Sequence, residues 1–288
     1  MTSDEASDPS PQDSTLAGPR VPFAWQPLTP RGVAAFAYAP LTRLVAAELI
    51  VALIAAATVV WFLHSAWVPT IRQAIRQLPD QGEIRQQQLQ LPPPPPELLA
   101  ASPYLSFVVD LQGQSREGLD ADLQVRFRQD RLEFCSLLGC LALHYPKDWT
   151  VQFNRPELQP WWDARQTFIL IWAGIAAVVI LLAIWFLLAT LYCPVTWLLA
   201  YFRDREASLA GCWKLSGAAL MPGALLLTLG IFLYGAEALD LIRLAMIAAL
   251  HLVAGWVYVA VSPVGLLPLA EAPPASTNPF TALPPPCP

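Results

Sequence analysis

The chain has 288 residues, of which 55% are hydrophobic and 14% charged. An ordinary soluble domain carries about 25% charged residues, so this deficit points to a membrane protein. The net charge of −5 comes with no basic block, which excludes nucleic acid as a partner, because phosphate contacts need clustered Lys and Arg.

Residues 1–22 are rich in Ser, Asp, Pro and Gly and read as a disordered tail. In the segment 23–43, Thr29 suits a helix N-cap and Pro30 the first helical position. A short interfacial helix over 31–38 is therefore predicted, lying on the membrane surface until Pro40 interrupts it. Residues 44–63 are apolar except for Glu48 and Thr58. A bilayer core takes roughly 20 apolar helical residues, so the first transmembrane helix is placed at 44–66. It begins well inside the sequence and reads as an uncleaved signal anchor.

Residues 67–165 read as a folded domain. "WVPTIRQAIRQLPDQG" puts Val68, Ile71, Ile75 and Leu78 at helical spacing, with Arg72, Gln73, Arg76 and Gln77 on the other face. This helix is expected to rest on the domain's own sheet in preference to the membrane surface. "GEIRQQQLQL", "YLSFVVDLQG", "DLQVRFR", "RLEFC", "CLALHY" and "WTVQF" read as strands. "DLQVRFR" alternates, with Leu123, Val125 and Phe127 on one face and Gln124, Arg126 and Arg128 on the other. "LPPPPPELL" favours polyproline II, a stiff spacer leading into a short helix, "ELLAAS". Asp120 and Asp122 read as a solvated turn, because the spaced oxygen ligands of a calcium loop are missing. The sum is a small, mainly antiparallel β domain inserted between the first and second spans.

Residues 167–202 carry no charge. A straight helix of that length would reach about 54 Å, too long for one span. The second transmembrane helix is placed at 168–192, Pro194 kinks the chain, and 193–210 continues as a cytoplasmic interfacial segment. A re-entrant pair of half-spans is the alternative. The third and fourth transmembrane helices follow at 211–234 and 239–262, giving a four-helix core, and the Pro-rich stretch 263–288 reads as a disordered tail.

Lys and Arg mark loops that stay cytoplasmic. Arg31 and Arg43 precede the first span, Arg203, Arg205 and Lys214 lie between the second and third, and "GAEALD" holds only Glu237 and Asp240. Both termini are therefore expected in the cytoplasm and residues 67–165 outside it, with Trp67, Trp161 and Trp162 in the aromatic belt. Arg outnumbers Lys 15 to 2, a bias that suggests a GC-rich bacterial source and hence an inner membrane.

Cys135, Cys140 and His144 stand at Cys-x4-Cys-x3-His spacing. If Cys135 faces Cys140 across a hairpin, Phe134 faces Leu141 and Leu132 faces Leu143, so all four apolar residues share one face of a half-buried sheet. Facing Cβ atoms come close to disulfide distance, and an oxidising compartment favours the bond. A zinc site is opposed by geometry, since Cys140 and His144 would be about 13 Å apart along a strand. A redox pair would take Cys-x-x-Cys at a helix start. The tip residues Leu137 and Leu138 are unusual in a turn. They are expected to be buried against the 68–78 helix, to touch the bilayer or to meet a partner.

Within the spans, Glu48, Arg243 and His251 are the polar candidates. Glu48 is expected to reach the interface from one turn inside its helix. Arg243 has Asp240 as an i,i+3 partner, and His251 lies near the midplane. Gly-x-Ser-x-Gly, P-loop and His-Glu-x-x-His patterns are missing, so no catalytic residue, metal or cofactor is assigned. Partner binding or scaffolding is the leading expectation, transport by the helical core the second, and a membrane enzyme the third.

The layout resembles uncharacterised bacterial integral-membrane proteins distantly related to the Yip family of Rab-interacting membrane proteins. "ASLAGCWKLSGAALMPGALL" (residues 207–226) resembles that family's loop into a proline-containing span, with Pro222 at the matching place. The resemblance implies a non-enzymatic membrane component.

Overall fold

The computed structural model describes residues 26–112, 120–147 and 150–269. The predicted tail 1–22 and most of the predicted tail 263–288 lie outside them. Among the described residues, four helices are long and apolar enough to cross a membrane: Leu41–Gln77, Arg155–Tyr201, Leu209–Gly235 and Leu241–Gly265.

Thr29 caps α1 (Pro30–Ala35), its hydroxyl accepting from the Gly32 N–H at 3.1 Å. Val33, Ala34, Ala35 and Phe36 are fully buried in the helical core. The helix's small side chains let it seat against α5 and the 262–265 turn. Next, α2 (Leu41–Phe62) runs through a π turn, Leu63–Trp67, into α3 (Val68–Gln77). Pro69 falls in the first turn of α3, where its missing N–H costs little.

Ala74 of α3 and Leu78 just after it enter the core of the β domain with Ile84, Leu89, Leu99, Val109, Tyr145 and Phe153. The helix thus rests on protein, as its apolar spacing predicts. The strands are β1 (Glu83–Arg85), β2 (Gln88–Gln90), β3 (Leu98–Ala101), β4 (Leu105–Val109), β5 (Leu123–Phe127), β6 (Arg131–Ser136), β7 (Gly139–His144) and β8 (Val151–Gln152). They form a three-stranded sheet in the order β2-β1-β8 and a five-stranded sheet in the order β3-β4-β5-β6-β7. Every pair is antiparallel except β4 with β5.

Two local expectations fail here. "GEIRQQQLQL" is a hairpin, with Gln86 and Gln87 at positive φ in its turn. "ELLAAS" is strand β3, because Leu99 and Ala100 are both buried once a bulge turns the chain between Leu98 and Ala100; sheet burial overrides helix propensity.

Asn154 caps α4 (Arg155–Tyr201), accepting from the Glu157 N–H at 3.1 Å. The helix passes through Pro194 and reaches Tyr201 in one piece, so the chain does not break into a re-entrant pair there. Around Pro194, the Thr196 hydroxyl accompanies the carbonyls of Tyr192 (3.2 Å) and Cys193 (2.9 Å) and meets Ser216 Oγ of the next helix at 3.0 Å. Ser208 caps α5 (Leu209–Gly235) and Asp240 caps α6 (Leu241–Val261).

Small residues set the helix contacts. A Cβ on Gly217 would stand 2.8 Å from Glu48 Oε1, one on Gly223 2.6 Å from the His251 carbonyl oxygen, and one on Gly230 2.8 Å from Ile247. Close backbone approach of this kind is how helices hold together where apolar burial gives no drive between them. On the side away from the β domain, Tyr38 accepts from Leu267 N–H (2.9 Å) and donates to the Glu206 carbonyl (3.3 Å), while Arg205 binds the Leu266 carbonyl at 3.0 Å. Residues 263–269, predicted as the start of the disordered tail, are thereby pinned.

Candidate functional site

Three places bring polar or exposed groups together. The first is the seam between the β domain and the helices. Tyr234, next to the end of α5, donates to Asp122 Oδ2 at 2.5 Å, and Tyr104 donates to the Tyr234 carbonyl at 2.8 Å. The two rings are 4.9 Å apart, and Phe62 packs against both at 5.4 Å. Burial, then the nearby Glu237, push the Tyr104 phenol above its ordinary pKa, so it stays a donor. A cavity of about 420 Å3 beside the seam is lined by Asp120, Asp122, Glu237, Asp240 and Arg243 among others.

Asp120 and Asp122 do lie in a turn, and Asp122 in addition docks the domain through Tyr234. Tyr104 and Tyr234 also escaped the sequence reading. A tyrosine closing an apolar span needs a partner for its hydroxyl, and that was the available signal for Tyr234. Arg243 does meet Asp240, at 3.5 Å, and Asp240 also accepts from the Arg243 N–H at 2.7 Å.

The second place is the β6–β7 hairpin. Cys135 and Cys140 are disulfide-bonded, with Cα atoms 4.0 Å apart. The register is the one the apolar pattern selects, Phe134 opposite Leu141 and Leu132 opposite Leu143. Burial differs from the expectation of a half-buried sheet, because every residue of β7 is exposed. At the tip Leu137 is 71% and Leu138 98% exposed, so neither is buried against α3. Gly139 takes φ of 120°, which a leucine could not share without strain. The loop has two residues, so the flanking pair Ser136–Gly139 is the hydrogen-bonded one and Cys135–Cys140 a close, non-bonded one. By alternation, the N–H groups of Cys140, Ala142 and His144 point outward from the free edge of the sheet.

The opposite polarity surprise lies on the strands beside it. Gln124, Arg126 and Arg128, the polar face of the alternating strand, are not free in water. Gln124 is buried, and Glu133 takes hydrogen bonds from Arg128 (2.9 Å) and Arg131 (2.8 Å), with Asp110 3.5 Å from Arg128. Burial works against the ionised Glu133, but the two arginines prevail and hold its carboxyl below the usual range.

The third place is the helical core. Glu48 is 9% exposed, with Oε1 beside Gly217 of α5, so it is enclosed between helices. The His251 ring shares a hydrogen bond through Nδ1 with the Ala248 carbonyl and lines a cavity of about 310 Å3. Apart from His251, Tyr192 and Thr228 that cavity is almost entirely apolar.

Among the described residues no three His, Cys, Asp or Glu side chains gather as a metal site. Cys193 and Cys212 are free thiols. Comparison with protein-family models, with curated proteins and with solved structures gives no match.

Proposed function

We propose that this is a non-enzymatic, multi-pass inner-membrane protein whose β domain stands outside the cytoplasm and binds or scaffolds an envelope partner. A single observation carries the reading: among the described residues, β7 is a fully exposed edge strand whose outward N–H groups meet no partner. No charged residue occurs from Phe134 to Leu143. Natural edge strands are usually blunted by charge, proline or cover, and an unblunted one is fit to take a strand from another chain. The seam at Tyr104, Tyr234 and Asp122 would tie that event to the helices. The Yip-like layout fits the same non-enzymatic role.

Ala142→Pro tests it. The substitution removes one outward donor and leaves the β6–β7 ladder intact, because edge positions tolerate proline. A photo-crosslinker at His144 in living cells should trap one envelope protein, and the trapping should vanish with Ala142→Pro. Labelling that is unchanged by Ala142→Pro overturns strand addition. The orientation has its own test: a periplasm-active reporter fused at Gln114 should be active and one at Arg205 inactive.

A second reading, transport, rests on the core cavity lined by His251. Substrate-dependent flux in proteoliposomes, lost in His251→Ala, would favour it over the scaffold.

A further inference from the structure

The membrane-facing end of the five-stranded sheet can be traced from its register. Tyr104 and Asp122 hold the seam at the end of α5. They immediately precede Leu105 and Leu123, which start the parallel strands β4 and β5 side by side. On the antiparallel β6, Leu123 lies opposite Ser136, and Ser136 lies opposite Gly139. The loop between them, Leu137-Leu138, is therefore at the same end of the sheet as the seam, one to two strand spacings of about 4.8 Å to the side.

That end is at the level where the helices change from apolar to polar. Trp61 packs on Phe232 at 5.0 Å and Phe62 on Tyr234 at 5.4 Å, beside the Trp67 of the π turn. Such aromatic groups sit at the edge of a bilayer. The two leucines lie at that end of the sheet and touch almost no protein: Leu137 is 71% and Leu138 98% exposed. The tip is uncharged, and the disulfide two residues behind it on each strand stiffens it.

We propose that the β6–β7 hairpin is a lipid-inserting finger, with Leu137 and Leu138 lodged in the phospholipid surface beside the helix bundle. Its continuity with the aromatic boundary of the helices favours lipid over a second copy or a soluble partner. Lacking charge, the finger needs no anionic headgroup. The finger fixes the tilt of the β domain from the side opposite α3, so that the outward edge of β7 rises from the membrane at a set angle. The proposal rests on the reading that the four long helices cross a bilayer.

The test uses the full chain in phosphatidylcholine nanodiscs. The photo-reactive residue p-benzoylphenylalanine is placed at one of three positions: 138 at the tip, 130 in the turn at the other end of the hairpin, and 187, an exposed position within α4. Illumination followed by mass spectrometry identifies the adducts. Positions 138 and 187 should give lipid adducts, with position 138 roughly tenfold above position 130. Adducts of 138 with a second copy, or none while 187 labels, would overturn the finger. Equal lipid labelling at 130 would also overturn it, since the domain would then lie flat. Failure at 187 would remove the spanning reading itself, and the finger with it.

Discussion

The helical core and the β domain solve one problem by opposite means. Both must bury polar groups. The helices do so with backbone carbonyls, as hydroxyls and a lysine turn onto the main chain: Thr228 bonds the Ala224 carbonyl at 2.8 Å, Ser216 the Cys212 carbonyl at 2.9 Å, and Lys214 the Ala39 carbonyl at 2.6 Å. The β domain does it with ions, placing Glu133 between Arg128 and Arg131. Glycines bring the helices close enough to pack, whereas ring stacking and a disulfide hold the strands. The helices should therefore be the more sensitive to added volume, and the domain's ion network to loss of a charge.

The harshest way to break this contrast is Gly223→Val. Its Cβ would stand 2.6 Å from a backbone oxygen of α6, which cannot move aside alone. Overpacking at such a contact costs about 3 kcal/mol. The detergent-purified protein should show a much lower Tm. An unchanged Tm would show that α5 and α6 do not meet at Gly223.

Glu133→Ala comes next. It leaves Arg128 and Arg131 facing each other without their shared carboxylate. The loss should be about 2 kcal/mol, below the figure for a fully buried pair because Arg131 is partly in water. Glu133 ionises more readily in the folded state than in the unfolded one. Its stabilisation is thus complete above the unfolded value near pH 4.3 and is lost as pH falls through the lower folded value. Unfolding of the domain followed by circular dichroism should show this acid limb, and Glu133→Gln should flatten it. An acid limb that persists in Glu133→Gln would assign the sensitivity to other carboxylates.

Removing the staple with Cys135→Ser/Cys140→Ser should cost about 2 kcal/mol, since a bridge over a short loop restrains the unfolded chain only modestly. The loss should appear as faster amide exchange in β6 and β7, with β1 and β2 unaffected. Uniform acceleration would mean that the bond supports the whole domain.

The smallest effect is expected at the seam. Tyr234→Phe deletes the hydroxyl that meets Asp122 beside a solvated cavity, a loss of about 1 kcal/mol. Exchange should rise at Tyr104 and Leu123 while the global Tm barely moves. A large fall in Tm would instead make the seam part of one cooperative unit with the helices.

Some of this was settled locally. Runs of apolar residues locate the four long helices because helix length and bilayer thickness are matched by residue count alone. Thr29, Ser208 and Asp240 mark helix starts through their own side chains. The pairing of Cys135 with Cys140 follows from parity, because a slip of one residue would send the four apolar residues to the other face. The exposure of those residues was not legible, since alternation tells which side chains share a face and not whether anything covers it. Gln124 and Glu133 carry the same lesson in reverse: a polar face became an interior one through partners brought in by the fold. Strand β3 emerged from a helix-favouring sequence, α1 seated against α5, and Asp122 found Tyr234 112 residues away. Each depends on a contact between segments distant in the chain. Local propensities, worth less than about 1 kcal/mol per residue, cannot encode such contacts and are overridden by them.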